Sequence, residues 1–170
     1  MSIQDSLSTN PRDALFEVLD GVRAGMLGLS GGGDCLQPMT HFPDAEAGVI
    51  WFISSTETDL VQSLGLGEDA QYVVISTDHD AHVSLRGKLY HVQDDAKLDA
   101  LWGPFISAWF DGGREDQHVA LLRFDTEVAD VWASSSSTLK IGFEVIRANL
   151  DPGHQPDIGA KATLRFATAA

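Results

Sequence analysis

At 170 residues the chain is long enough for one domain with a sizeable core. Its 25 acidic against 11 basic residues give a formal charge of −14, which argues against nucleic acid or an anionic membrane as partner. The single cysteine, Cys35, excludes an intrachain disulfide and a cysteine-based metal cluster.

The first twenty residues lack the basic and apolar regions of a signal peptide, and no run approaches membrane-spanning length. The expectation is a cytoplasmic protein. Residues before Ser8 read as a loose terminus. Asn10-Pro11-Arg12-Asp13 then starts a helix, with Asn as cap, Pro in the first turn and Asp at the positive dipole end. Leu15, Phe16, Leu19 and Val22 give it one apolar face. Ala24 to Ser30 and Cys35 to Phe42 read as a hairpin around the Gly31-Gly32-Gly33-Asp34 turn. Pro38 inside the return strand demands an edge, a bulge or an opened ladder. It serves either as edge protection or to free backbone groups for a ligand, and the residues alone do not choose.

Val49 to Ile53 is a β-branched and aromatic run, a strand covered on both faces. Ser54 and Glu57 follow at capping-box spacing, with Leu60, Val61 and Leu64 as an apolar stripe and Gly65 at the stop. A strand running into a hydroxyl-rich helix start is expected to leave free N–H donors, a ready site for an anion such as phosphate. Gln71 to Thr77 reads as a buried strand, Asp78-His79-Asp80 as a turn, and Ala81 to Val92 as an alternating antiparallel strand. Asp94 caps a helix through Leu98, Leu101 and Trp102. Pro104 restarts it through Phe105, Ile106, Trp109 and Phe110. His118 to Asp125 and Val128 to Ala133 read as two further strands. The residues divide into a domain over 10–133 and a C-terminal extension over 134–170, with a helix at 139–150 and a loosely ordered tail. Hairpin strands with helices between them indicate a mainly β fold, a small antiparallel barrel decorated by helices.

Asp78, His79, Asp80 and His82 carry metal-ligating groups, but a hairpin turn is where such residues are expected to be solvated, so no metal is assigned. A G-x-S-x-G elbow is absent, and Gly31-Gly32-Gly33 lacks the Lys-Ser/Thr of a phosphate loop. The four tryptophans are more informative, since such residues either fill a core or line a slot for a planar ring.

Taken together, QPM, WFISS, VSLRG, LWGPFISAWFDGG and LLRFD occur in an order that resembles the general stress protein 26-like group. That group belongs to the pyridoxamine 5′-phosphate oxidase-like flavin-binding split barrels. The resemblance runs from about Leu15 to Trp132, and LWGPFISAWFDGG is its most specific part. It implies a six-stranded antiparallel split barrel that forms a homodimer, with FMN (or FAD) in clefts between the subunits. The flavin phosphate would lie by Ser54, Thr56 and Thr58. Gln37, Pro38, Met39 and Thr40 would pass beside the ring and ribityl chain, with Trp51 and Ile53 on the adjoining strand. Ser84 would approach from its neighbour, and Trp109, from the second subunit, would form the ring slot with Trp132.

Two departures concern the phosphate. The group commonly has Arg where this chain has Gln37, and Arg or Lys at Thr56, often with Lys at Leu60. Each absent cation removes a charge-assisted contact of about 1.5–3 kcal/mol. The basic residues with which the true oxidases hold pyridoxamine phosphate find no match, which argues against that activity. The implied function is a flavin-binding protein of the stress-protein type, possible as a reductase of an unidentified small electron acceptor. The alternatives are a non-catalytic flavin-sequestering protein and a cofactor-free structural or regulatory dimer.

Overall fold

The computed structural model describes residues 2–31, 35–134, 138–150 and 159–167. The chain opens with helix α1 (Ile3–Thr9), where a loose terminus was expected. Ser2 and Asp5 form a reciprocal capping box, and Leu7 is buried in the core, so this helix of about two turns is held by its cap and by its packing. Helix α2 (Pro11–Asp20) follows, capped by Asn10 with Pro11 in its first turn, and buries Leu15, Phe16 and Leu19. The two helices pack against the barrel that the strands form.

Among the described residues there are seven strands: β1 (Ala24–Leu29), β2 (Gln37–Asp44), β3 (Val49–Ser55), β4 (Glu68–Ile75), β5 (Ala81–Val92), β6 (Val119–Ser134) and β7 (Gly159–Arg165). Their order is β3-β2-β1-β4-β5-β6-β7, every pair is antiparallel, and β3 closes on β6. The result is a six-stranded antiparallel split barrel with a seventh strand outside the closure, as the sequence led us to expect. Alternation sets the core: Val83, Leu85 and Leu89 of β5 point inward to meet Phe52, Tyr72, Leu122 and Phe124.

Three further elements differ from expectation. The two strands predicted over 118–133 are one strand, β6, bent by a register shift opposite Arg86 and Gly87. Gly87 permits the bend, because a Cβ there would lie 2.0 Å from the Asp125 carbonyl oxygen. The tail is not loose over 159–165: β7 pairs with residues 128–134 of β6, taking the edge that β3 leaves after Asp125. Ala160, Ala162 and Leu164 of β7 turn toward the core. Thirdly, the first helix after β3 starts four residues later than the sequence spacing suggested, as described below. Helix α6 (Thr138–Leu150) matches the predicted 139–150 segment. Parts of the glycine turn (32–34), the serine link (135–137) and the tail (151–158 and 168–170) lie outside the described residues.

One buried polar cluster ties these parts together. His41 of β2 donates from Nε2 to the Leu19 carbonyl at the end of α2 (2.7 Å), and its Nδ1 lies 2.5 Å from the Tyr72 hydroxyl of β4. The single O–H proton of Tyr72 serves either that nitrogen or Met39 O, which lies 3.0 Å from the hydroxyl. Burial pushes the His41 imidazole below its ordinary pKa of 6.5, opposed by the Leu19 carbonyl and the Asp20 charge. The unfolded chain therefore binds a proton that the folded chain refuses, so this contribution is complete above pH 6.5 and is lost as pH falls below it. The melting temperature is expected to decline from about pH 7 to about pH 5. His41→Gln should lower it at neutral pH and flatten that decline, and an unchanged slope would assign the pH dependence elsewhere. Gly87→Ala is expected to lose roughly 1–3 kcal/mol in denaturant unfolding, because the backbone must shift to admit the methyl.

Candidate functional site

Strand β2 never has two strand neighbours at the same residue. Residues 37–40 pair with β1, and residues 41–44 pair with β3. Beyond Phe52, β3 leaves β2 and pairs with β6 through Ser55. Pro38 sits where β2 is an edge on the β3 side, a position that tolerates a residue without an N–H. The edge opens onto a cleft of about 470 Å³ between the parted strands.

Gln37, Pro38, Met39, Thr40 and Phe42 form one wall of the cleft, and Ile53, Ser54, Ser55 and Thr58 form the other. The roof is the short helix α5 (Pro104–Ser107) and the residues after it: Phe105, Ile106, Trp109 and Phe110. Ile106 is buried and anchors the segment, whereas Trp109 is 76% exposed at the mouth. Phe110 packs on Trp102, and the Arg23 guanidinium lies 5.5 Å over the Phe105 ring. Arg114 clamps the following loop to Asp95 and Asp99 of α4 (Asp95–Leu101). Asp116 accepts the N–H groups of His118 and Gly112, which hold its carboxyl below the usual range.

At the hydroxyl end the expected cap is displaced. Ser54 remains in the strand, paired with Ala120, and Thr58 is the cap of the four-residue helix α3 (Asp59–Gln62). Thr58 Oγ1 accepts the Val61 N–H and donates to Ser55 O, with Ser54 Oγ 3.5 Å away. The Thr56 N–H is taken by His118 O, the Glu57 N–H by Ser55 Oγ and the Thr58 N–H by Ser55 O. The expected cluster of free donors is therefore largely satisfied by the chain itself. No Lys, Arg, His, Asp or Glu lines the cleft among the described residues.

A long, partly enclosed, mainly apolar slot with hydroxyls and a free strand edge at one side suits a planar ring carrying a polar chain. The family profile described as pyridoxamine 5′-phosphate oxidase like matches residues 10–157. The chain belongs to that family. Similar solved structures include a protein named as a general stress protein 26 from Jannaschia sp. CCS1, 34% identical over 91% of this chain and 99% of that one, with a TM-score of 0.73. A general stress family protein from Xanthomonas campestris pv. campestris is 36% identical over 75% and 89% of the two chains (TM-score 0.69). The general stress FMN/FAD binding protein of Xanthomonas citri is 36% identical over 74% and 90% (TM-score 0.69). No curated protein matches the chain.

In this member of the pyridoxamine 5′-phosphate oxidase-like family, the residues singled out from sequence divide into two sets. Gln37, Pro38, Met39, Thr40, Ile53, Ser54, Thr58 and Trp109 converge on the cleft, Trp109 from the same chain. Trp51, Thr56, Ser84 and Trp132 lie elsewhere. Trp51 is 8% exposed in a second cluster with Leu98 and Leu121, under the Lys97 ammonium. Thr56 faces a depression with His91, Asp94 and Arg114. Ser84 is on the outer face of β5, accepting a hydrogen bond from Gln71, and Trp132 on that of β6 beside His82. Phe42, Ser55, Phe105, Ile106 and Phe110 also line the cleft and were not assigned to it from sequence. Phe42 shares the parity of Thr40 on β2, and Phe105 and Ile106 share a helical segment with Trp109, so the signal was present. Among the described residues, no group of three or more His, Cys, Asp or Glu is arranged to hold a metal.

The two tryptophans separate wall from core. Trp51→Ala is expected to cost about 3–5 kcal/mol in denaturant unfolding. Trp109→Ala should change stability by no more than about 0.5 kcal/mol. Comparable losses would return Trp109 to the core.

Proposed function

We propose that this chain is a flavin-binding protein whose cleft between β2 and β3 receives the isoalloxazine ring and ribityl chain of FMN, or of FAD. The observation that carries the reading is the parted β2–β3 ladder. It leaves a strand edge, apolar faces from Met39, Ile53, Phe105 and Trp109, and the Ser54, Ser55 and Thr58 hydroxyls around one volume. The volume lies within the range of about 300–1,000 Å³ typical of small-molecule sites. The ring and the ribityl chain fit these residues. The terminal phosphate meets no cation there among the described residues.

Bound flavin would supply electron-transfer chemistry, and the chain would supply orientation and exclusion of water. Phe105 and Trp109 would cover the ring, and the β2 edge would offer backbone hydrogen bonds. No titratable side chain lines the cleft among the described residues, so proton transfer would fall to the flavin and its acceptor. The electron acceptor would be a small molecule able to enter beside Trp109.

A homodimer belongs to the same proposal. On the outer face, Ile75, His82 and Trp132 form one cross-strand row over β4, β5 and β6, and Met26 and Val73 pair in the next. Met26, Ile75 and Trp132 are 39%, 45% and 40% exposed, an apolar surface that a second copy would cover while bringing Ser84 and Trp132 near its cleft.

The purified protein is expected to show a flavin absorbance spectrum, or to quench the fluorescence of added flavin. Trp109→Ala should weaken that binding at least about tenfold, roughly 1.4 kcal/mol, with its melting temperature unchanged. A colourless protein that quenches no flavin would sink the reading in favour of a cofactor-free dimer. Where flavin binds, anaerobic reduction by NADH or NADPH and reoxidation by an acceptor distinguish a reductase from a sequestering protein.

A further inference from the structure

The end of the cleft where a flavin phosphate would emerge has unusual electrostatics, and this bears on ligand choice. The groups there are Gln37, Ser54, Ser55 and Thr58, all uncharged. Gln37 also lines the adjoining depression, where the charged group among the described residues is the Asp59 carboxylate. Glu57 extends from the same turn into solvent, with His118 Nδ1 at 3.8 Å. Leu60, on the α3 turn beside it, is mostly buried and adds an apolar side chain to the same depression rather than a cation. The turn N–H groups of Thr56, Glu57 and Thr58 already have acceptors in the chain.

The basic groups at the roof and on the outer face have partners within the chain. Arg23 lies over Phe105 at the roof. Arg86 and Lys161, on the outer face offered to a second copy, both pair with Asp130. A phosphate dianion placed at this end would lose hydration, gain no charged partner and approach two carboxylates in a protein of net charge −14. The ring and ribityl hydroxyls meet no such opposition.

From this we infer that the cleft selects its ligand by ring and ribityl chain alone, so that riboflavin binds at least as tightly as FMN. The inference rests on the flavin reading above and names the form of flavin that the site prefers. A phosphate-anchored site would instead favour FMN strongly, since each charge-assisted contact contributes about tenfold or more.

The test is fluorescence-quench titration of the full-length dialysed protein with riboflavin, FMN and FAD at low salt and at roughly 0.5 M sodium chloride. The expected result is a riboflavin Kd equal to or below that of FMN, with FMN affinity unchanged or tighter at high salt as repulsion is screened. FMN binding tenfold or more tighter than riboflavin, or weakening several-fold with salt, would overturn the inference and leave the flavin reading standing. Failure of all three flavins to bind would remove the flavin reading itself. Gln37→Arg combined with Asp59→Asn restores a cation and removes a carboxylate at exposed or half-exposed positions. That pair should raise the ratio of FMN to riboflavin affinity about tenfold. An equal change for both ligands would place the phosphate elsewhere and overturn the inference.

Discussion

The structure depends on one changeover in pairing. A strand in a closed barrel ordinarily has a neighbour on each side, yet β2 has β1 alone up to Thr40 and β3 alone from His41. Backbone groups left at such a changeover must face water, side chains or a ligand. The Tyr72 hydroxyl takes Met39 O, and His41 reaches Leu19 O on the helix below, so the point of divergence is pinned from inside the barrel. The cleft follows from that pin. Without it β2 would be free to continue along β3, and the space between Thr40 and Ile53 would close.

Much of this was legible because side-chain parity is a strong signal. The alternation in AHVSLRGKLYHV gives β5 with its observed ends, and Pro38 marks the unpaired edge through its missing N–H. Parity also explains what was misread. Trp51 and Ile53 share the outer face of β3, but α4 covers Trp51 with Leu98 while Ile53 stays open to the cleft. Two residues of displacement along one strand decide between core and site, and only the position of α4 tells which. The Ser54-to-Glu57 spacing satisfied a capping rule that Thr58 fulfils instead, because β6 keeps β3 extended through Ser55. The tail segment GAKATLR has small inward residues, too little apolar content to declare a strand by itself. Its order comes from the free second half of β6.

The same economy of pairing shapes the charge distribution. Arg114, Arg123, Lys88 and Lys97 each lie against an aspartate outside the cleft. Exposed pairs of this kind contribute about 0–1 kcal/mol to stability, so they say little about why the fold holds. They matter more for where positive charge is placed. In a chain with more than twice as many acids as bases, each such pair takes a cation that a phosphate site would need. The neutral cleft is the counterpart of a surface on which these four basic groups are already matched.

The two sides of the cleft are held by forces of different kinds. Its walls are strand backbones, fixed by the β1–β2 and β3–β6 ladders and by the buried side chains of Phe52 and Tyr72. Its roof is a one-turn helix anchored by Ile106, with a loop fastened through Arg114 and Asp116 at the surface. Displacing the walls would break core packing, whereas displacing the roof would break contacts that water replaces at little cost. Recognition therefore divides along the same line. Under the proposed reading, the strand edges would fix where a planar ligand lies, and the exposed Trp109 and Phe105 would determine how completely it is shut from solvent.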